Sequence, residues 1–81
     1  MKAESIGIMK GEIDYKLGRI DFFKERLDQW ENKEDREYDQ SVRRLAKLKD
    51  EVVNLLQIMK LEEAVEFDEY KEIFQNLKAN A

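Results

Sequence analysis

Regularly spaced acidic side chains are the clearest chemical pattern in this 81-residue sequence. Four glutamates recur every three or four residues near the C-terminus: Glu62, Glu66, Glu69 and Glu72. This spacing places them on one face of a helix, where carboxylates hold a cation or imitate the phosphates of a nucleic acid. No calcium-loop pattern accompanies them, so we expect no metal site. We interpret them as a solvated face, with docking of an acidic inhibitor as the alternative.

Positive charge is concentrated in the stretch RRLAKLK, which defines a candidate basic patch of Arg43, Arg44 and Lys47. Nucleic-acid surfaces interleave such cations with aromatic rings for base stacking, and Tyr38 is the only ring nearby in the sequence. The formal net charge is −4. We therefore do not expect nucleic acid as the main partner, and a small helical-hairpin RNA- or DNA-binding regulator stays an alternative. Pairing of the patch with the acidic C-terminal residues, within or between chains, would explain both charges.

The residue types that carry out catalysis are largely missing. The sequence has no histidine, cysteine or threonine, and its serines are Ser5 and Ser41. Without histidine neither serine has the usual general base, and no imidazole or thiolate is present to bind a metal. The glycines are too far apart for a phosphate-binding loop. We predict that the protein is not an enzyme and needs no cofactor.

The composition predicts an all-α protein of one domain, residues 1–81. The chain contains no proline and only three glycines, and is rich in helix-forming Lys, Glu and Leu. No apolar run approaches the roughly 20 residues needed to span a bilayer. The first residues lack the apolar stretch of a signal peptide. We therefore expect a cytoplasmic protein without membrane contact.

Heptad spacing predicts a first helix over about residues 5–31. Two heptad positions carry its apolar side chains, with Lys16 as the exception: Ile6, Ile13, Ile20 and Leu27 at one, and Met9, Phe23 and Trp30 at the other. The pattern stops at Trp30 and resumes in another phase at Tyr38. This change of phase predicts a turn near Asn32 to Asp35 and a second helix over about residues 35–60, with Trp30 and Tyr38 packed together.

The second helix is apolar around much of its circumference, which is typical of a central helix. A further stripe adds to its heptad positions: Val42, Ala46, Val53 and Leu56. A third apolar set predicts a shorter C-terminal helix over about residues 67–78: Phe67, Tyr70, Ile73, Phe74 and Leu77. The break between the two is weakly marked. A three-helix bundle is the first prediction, and a long hairpin with an overhanging second arm is the alternative.

The first helix has a second face that the hairpin does not explain. Large residues alternate with glycines along it: Ile8, Gly11, Tyr15, Gly18 and Phe22. Each glycine inside a helix costs about 0.5–1 kcal/mol relative to alanine, so the pair requires an explanation. Either the C-terminal helix covers this face, or the face forms a homodimer or receives a partner. With Trp30, these are the candidate interface residues.

These patterns together favour a non-enzymatic protein–protein interaction module. We expect a homodimeric helical bundle that acts as an adaptor or regulator by presenting helical faces to another protein. One alternative is an acidic inhibitor of the phage or plasmid accessory type that blocks a host enzyme through Glu62, Glu66, Glu69 and Glu72. The other is the nucleic-acid-binding hairpin that uses Arg43, Arg44 and Lys47.

Overall fold

The computed structural model describes residues 3–79, which form three α-helices and no strand. The helices are α1 (Ala3–Asp28), α2 (Arg36–Leu61) and α3 (Lys71–Ala79), and a 3₁₀ helix (Val65–Tyr70) leads directly into α3. The predicted all-α hairpin with a shorter C-terminal helix is confirmed. None of the helices within residues 3–79 has the length and apolar character needed to cross a membrane.

The loop of residues 29–35 reverses the chain between α1 and α2. Asn32 Oδ1 accepts a hydrogen bond from the Glu34 backbone N–H at 3.1 Å, and the Asn32 amide donates to Asp35 Oδ1 at 3.2 Å. Asp35 is the N-cap residue of α2, and its backbone carbonyl accepts from the Tyr38 N–H at 3.1 Å. The predicted turn is confirmed. Asn and Asp side chains stabilise it in place of glycine or proline.

The core follows the predicted heptad seam of α1 against α2. The buried apolar residues of the two helices are Ile6, Ile13, Ile20 and Phe23 of α1 with Val52, Leu56 and Met59 of α2. Lys16, the polar exception in the seam, reaches across to α2, where its Nζ lies 2.6 Å from Glu51 Oε2. This hydrogen bond raises the pKa of Lys16 and lowers the pKa of Glu51. Lys16 is therefore the polar residue in the seam because it forms an ion pair between the two helices.

A Schellman motif ends α2 at the weakly marked break. The Glu63 N–H donates to the Lys60 carbonyl, and the Ala64 N–H donates to the Met59 carbonyl, both at 3.1 Å. Glu63 has a φ of 55°, the left-handed conformation that this motif requires and that glycine usually supplies. The chain then folds back on α2, so the three-helix arrangement is present and the overhanging arm is not.

The C-terminal segment, residues 65–79, contacts both long helices. Tyr70 and Phe74 are only 4% and 3% exposed, and the ring centroid of Phe67 lies 5.4 Å from that of Phe74. The Tyr70 hydroxyl donates a hydrogen bond of 2.7 Å to Asp14 Oδ1 on α1. Because these residues belong to the same core cluster as α1 and α2 residues, the segment closes one end of the bundle.

Replacing Tyr70 with phenylalanine should remove a pH-dependent part of the stability. Burial, together with the hydrogen bond to Asp14, raises the pKa of Tyr70 above its ordinary value near 10. Below that pH both folded and unfolded chains keep the phenolic proton. Above it, only the unfolded chain loses the proton, so the free energy of unfolding falls as pH rises.

Urea denaturation of both proteins from pH 7 to pH 12 measures this effect. We expect the native sequence to be more stable than Tyr70→Phe by about 1 kcal/mol at neutral pH. That difference should shrink above about pH 10. Lysine titration occurs in both proteins and cancels in the comparison. A difference that stays constant with pH would contradict the role given to the Tyr70 hydroxyl.

Candidate interaction surface

The face of α1 opposite the core stays uncovered. We call it the outer stripe, and its residues are Ile8, Gly11, Tyr15, Gly18 and Phe22. The exposed fractions of its large side chains are 72% for Ile8, 68% for Tyr15 and 48% for Phe22. The interpretation that the C-terminal helix covers this face is wrong, because these side chains stay exposed and the segment contacts α1 beside the stripe, at Lys10 and Asp14. The outer stripe is available to another molecule.

The glycines of the outer stripe have no packing role within the described chain. A Cβ atom at Gly11 or Gly18 would meet no atom within 4 Å. Side chains in a helix lean toward its N-terminus, so Tyr15 and Phe22 border the open space above these glycines. The free-energy cost of two glycines in a helix is therefore not offset by a close contact inside residues 3–79.

Opposite charges line the two edges of the outer stripe. Asp14 and Asp21 each precede a ring of the stripe by one residue, and Arg19 and Arg26 each follow a ring by four. With the stripe at the a and d positions of a heptad, the aspartates occupy g and the arginines e, and a third e residue, Glu12, pairs with Lys16 within α1. The Arg19 guanidinium lies 5.3 Å from the centroid of the Phe22 ring. Within residues 3–79, Asp21, Arg19 and Arg26 form no ion pair.

The basic patch divides into two parts. Arg43 pairs with Asp39 on α2 at 3.2 Å, not with the acidic C-terminal residues. Arg44 and Lys47 border a shallow groove of about 250 Å³ between α1 and α2. Its lining residues are Tyr15, Arg19, Phe23, Arg44, Lys47, Leu48 and Glu51. The rings of α1 are distant from the patch in sequence, so the sequence pattern around RRLAKLK did not reveal them.

The four acidic residues do not share one continuous helix. Glu62 lies in the turn after α2, Glu66 and Glu69 lie in the 3₁₀ helix, and Glu72 lies in α3. Glu69 Oε1 is 2.9 Å from Lys10 Nζ, and this hydrogen bond raises the pKa of Lys10. Glu69 therefore helps to join the C-terminal segment to α1. In residues 3–79 no group of three acidic side chains is arranged to hold a metal ion.

Trp30 packs against the residues that form and follow the loop between α1 and α2, and it does not belong to the outer stripe. Its indole N–H donates to Asp35 Oδ2 at 3.3 Å, and its ring contacts Tyr38 edge to face with centroids 5.9 Å apart. The Arg26 guanidinium lies 5.3 Å from the Trp30 ring centroid. The predicted packing of Trp30 on Tyr38 is confirmed. Half-buried at the loop, Trp30 is a structural residue of the hairpin.

A further apolar groove, of about 540 Å³, lies where α3 ends beside α2. Its lining residues are Val42, Leu45, Ala46, Lys49, Asp50, Val53, Leu77 and Lys78. The nine-residue α3 is too short to cover the 26 residues of α2, so part of the predicted second stripe stays open. Val42, at 39% exposed, is its most exposed large apolar side chain.

No family model, curated protein or solved structure matches this chain. The surfaces themselves therefore have to indicate the function. Among them, the outer stripe combines the most exposed row of apolar side chains on one helix with opposite charges along its two edges. It is the candidate interaction surface of the molecule.

Proposed function

We propose that the protein is a non-enzymatic protein–protein interaction module that works as a homodimer through the outer stripe of α1. The observation that supports this proposal is the exposure of Ile8, Tyr15 and Phe22 on one face. Contiguous exposed apolar side chains mark contact surfaces, and burying them yields about 25 cal/mol per Å² of apolar area. The groove of about 540 Å³ between α2 and α3 and the acidic residues would remain on the outside of the dimer, where an adaptor or regulator would bind its target.

A second copy fits this surface better than a nucleic acid does. Phosphates would be attracted to Arg19 and Arg26 but repelled by Asp14 and Asp21 on the same helix, in a chain of net charge −4. A second copy places an arginine against each aspartate. The acidic-inhibitor alternative has less support, because Glu69 already pairs with Lys10 within the chain.

Replacing Tyr15 with glutamate should weaken self-association at least about tenfold, because it puts two carboxylates into an apolar interface. Light scattering coupled to size exclusion, over concentrations up to about 1 mM, gives the dissociation constant of the dimer. Circular dichroism should show unchanged helicity, since the Tyr15 side chain is 68% exposed in the single chain.

The matched control is Val65→Glu, an apolar-to-acid change at a side chain that is 79% exposed and belongs to the 3₁₀ helix, not to α1. It should leave the dissociation constant unchanged. Gly18→Leu separates stability from association: it should stabilise the helix by roughly 0.5–1 kcal/mol while weakening the dimer. A native chain that stays monomeric throughout the concentration range would refute the proposed function.

A further inference from the structure

We infer that the two copies of α1 pack parallel and in register, and that the charges along the outer stripe select this orientation. The inference rests on the homodimer proposed above and adds its geometry. In a parallel pair of helices, a g residue of one helix faces the e residue five positions later on the other. Asp21 then faces the partner subunit's Arg26. Asp14, whose Oδ1 accepts the Tyr70 hydrogen bond within the chain, faces the partner subunit's Arg19. Two-fold symmetry doubles these to four pairs of opposite charge.

The spacing of five residues explains why Asp21 and Arg26 suit a dimer and not the single chain. Side chains pair along one helix at spacings of three and four, whereas a spacing of five puts them on opposite edges. Accordingly, Asp21 and Arg26 form no ion pair within residues 3–79. An antiparallel pair would set g against g and e against e. Aspartate would then face aspartate, and the e residues Glu12, Arg19 and Arg26 would face one another, so the pairing of each aspartate with an arginine would be lost.

The apolar residues are compatible with the parallel register. Layers of paired large side chains, from Ile8, Tyr15 and Phe22, alternate with layers of paired glycines. The rings lean toward the N-terminus, into the space that is open above Gly11 and Gly18. The stripe lies on the opposite side of α1 from the buried seam. The core and α2 therefore extend away from the contact, and the C-terminal segment meets α1 at Asp14, on the g edge of the stripe.

Single-cysteine variants test the register, because the natural chain contains no cysteine. In the parallel dimer each glycine of the stripe faces the same glycine of the partner subunit. We expect the two Cα atoms to lie within the roughly 4.4–6.8 Å that a disulfide spans. Gly18→Cys and, separately, Gly11→Cys should each form a disulfide-linked dimer in a glutathione buffer. Val65→Cys, exposed and outside the stripe, is the control and should stay largely unlinked.

Charge-reversal variants test, independently of the disulfides, whether the charges select the parallel orientation. Asp21→Arg alone and Arg26→Asp alone should each raise the dimer dissociation constant about tenfold, since attraction becomes repulsion at two symmetric sites. The double variant restores opposite charges in the parallel dimer and should return the constant to near the native value. In an antiparallel dimer residues 21 and 26 would not face each other, so the effects of the two substitutions would add instead of cancelling.

The outcomes separate the two proposals. Disulfides at both glycine positions, with rescue by the double charge variant, support the parallel register. A native dimer in which neither cysteine crosslinks and the double variant gives no rescue overturns the register and leaves the homodimer standing. A native chain that is monomeric up to about 1 mM overturns both.

Discussion

Replacing Phe74 with alanine is expected to lower the free energy of unfolding by about 3–5 kcal/mol, a large part of the total for a chain of this size. The Phe74 ring is 3% exposed and packs edge to face against Phe67. Its faces also meet cations, because Lys60 Nζ lies 5.7 Å and Lys78 Nζ 5.0 Å from the ring centroid. Alanine leaves a cavity where the C-terminal segment meets α2.

Urea denaturation followed by far-UV circular dichroism and by Trp30 fluorescence measures this loss. Trp30, the single tryptophan, reports on the loop between α1 and α2. The two signals should shift together, because the segment is tied to α1 as well as to α2 and the bundle unfolds as one unit. Val65→Ala, at a side chain that is 79% exposed and outside the outer stripe, is the control and should change stability by less than about 0.5 kcal/mol. A similar small change for Phe74→Ala would mean that the segment does not stabilise the bundle.

Periodicity was sufficient to predict the hairpin because burial on one face imposes a repeat that survives without any turn signal. Ile6, Ile13 and Ile20 recur every seven residues and lie in the core. The change of phase between Trp30 and Tyr38 correctly located the loop. These are local regularities of spacing, so a single sequence contains them in full.

The end of α2 was harder to predict because its signal residue is atypical. A helix that ends in a Schellman motif normally shows glycine at the left-handed position, whereas this chain has Glu63 there with a φ of 55°. The backbone hydrogen bonds of the motif, and the burial of Met59 beside it, hold a conformation that the residue itself does not favour. Tertiary packing therefore determines where α2 ends, and the local sequence indicates such packing only weakly.

Which residues come together on the exposed surfaces could be predicted only in part. The row from Ile8 to Phe22 is visible in the sequence, but whether the C-terminal helix covers it depends on the direction in which that helix folds back. Contact between Tyr70 and Asp14 decides that direction, and these residues are separated by 55 others. The groove beside Arg44 was missed for the same reason, since its rings belong to another helix.

Two isoleucines of α1 provide the sharpest test of which face is inside. Ile13 is fully buried and Ile8 is 72% exposed, although both lie in the same helix five residues apart. Ile13→Ala should lower the free energy of unfolding by about 2–5 kcal/mol, because it removes buried methyl groups and leaves a cavity in the seam. Ile8→Ala should change it by less than about 0.5 kcal/mol at concentrations low enough to dissociate the proposed dimer.

The same pair should behave in the opposite way in self-association. Ile8→Ala removes apolar area from each side of the proposed interface, so the dimer dissociation constant should rise about tenfold while the unfolding of the single chain is nearly unchanged. Ile13→Ala should leave association intact at temperatures where the variant is still folded. Denaturation at low concentration and sedimentation at high concentration measure the two quantities separately. If Ile8→Ala destabilised the dilute monomer as much as Ile13→Ala does, the outer stripe would belong to the core of the single chain, and the homodimer proposed here would lose its interface.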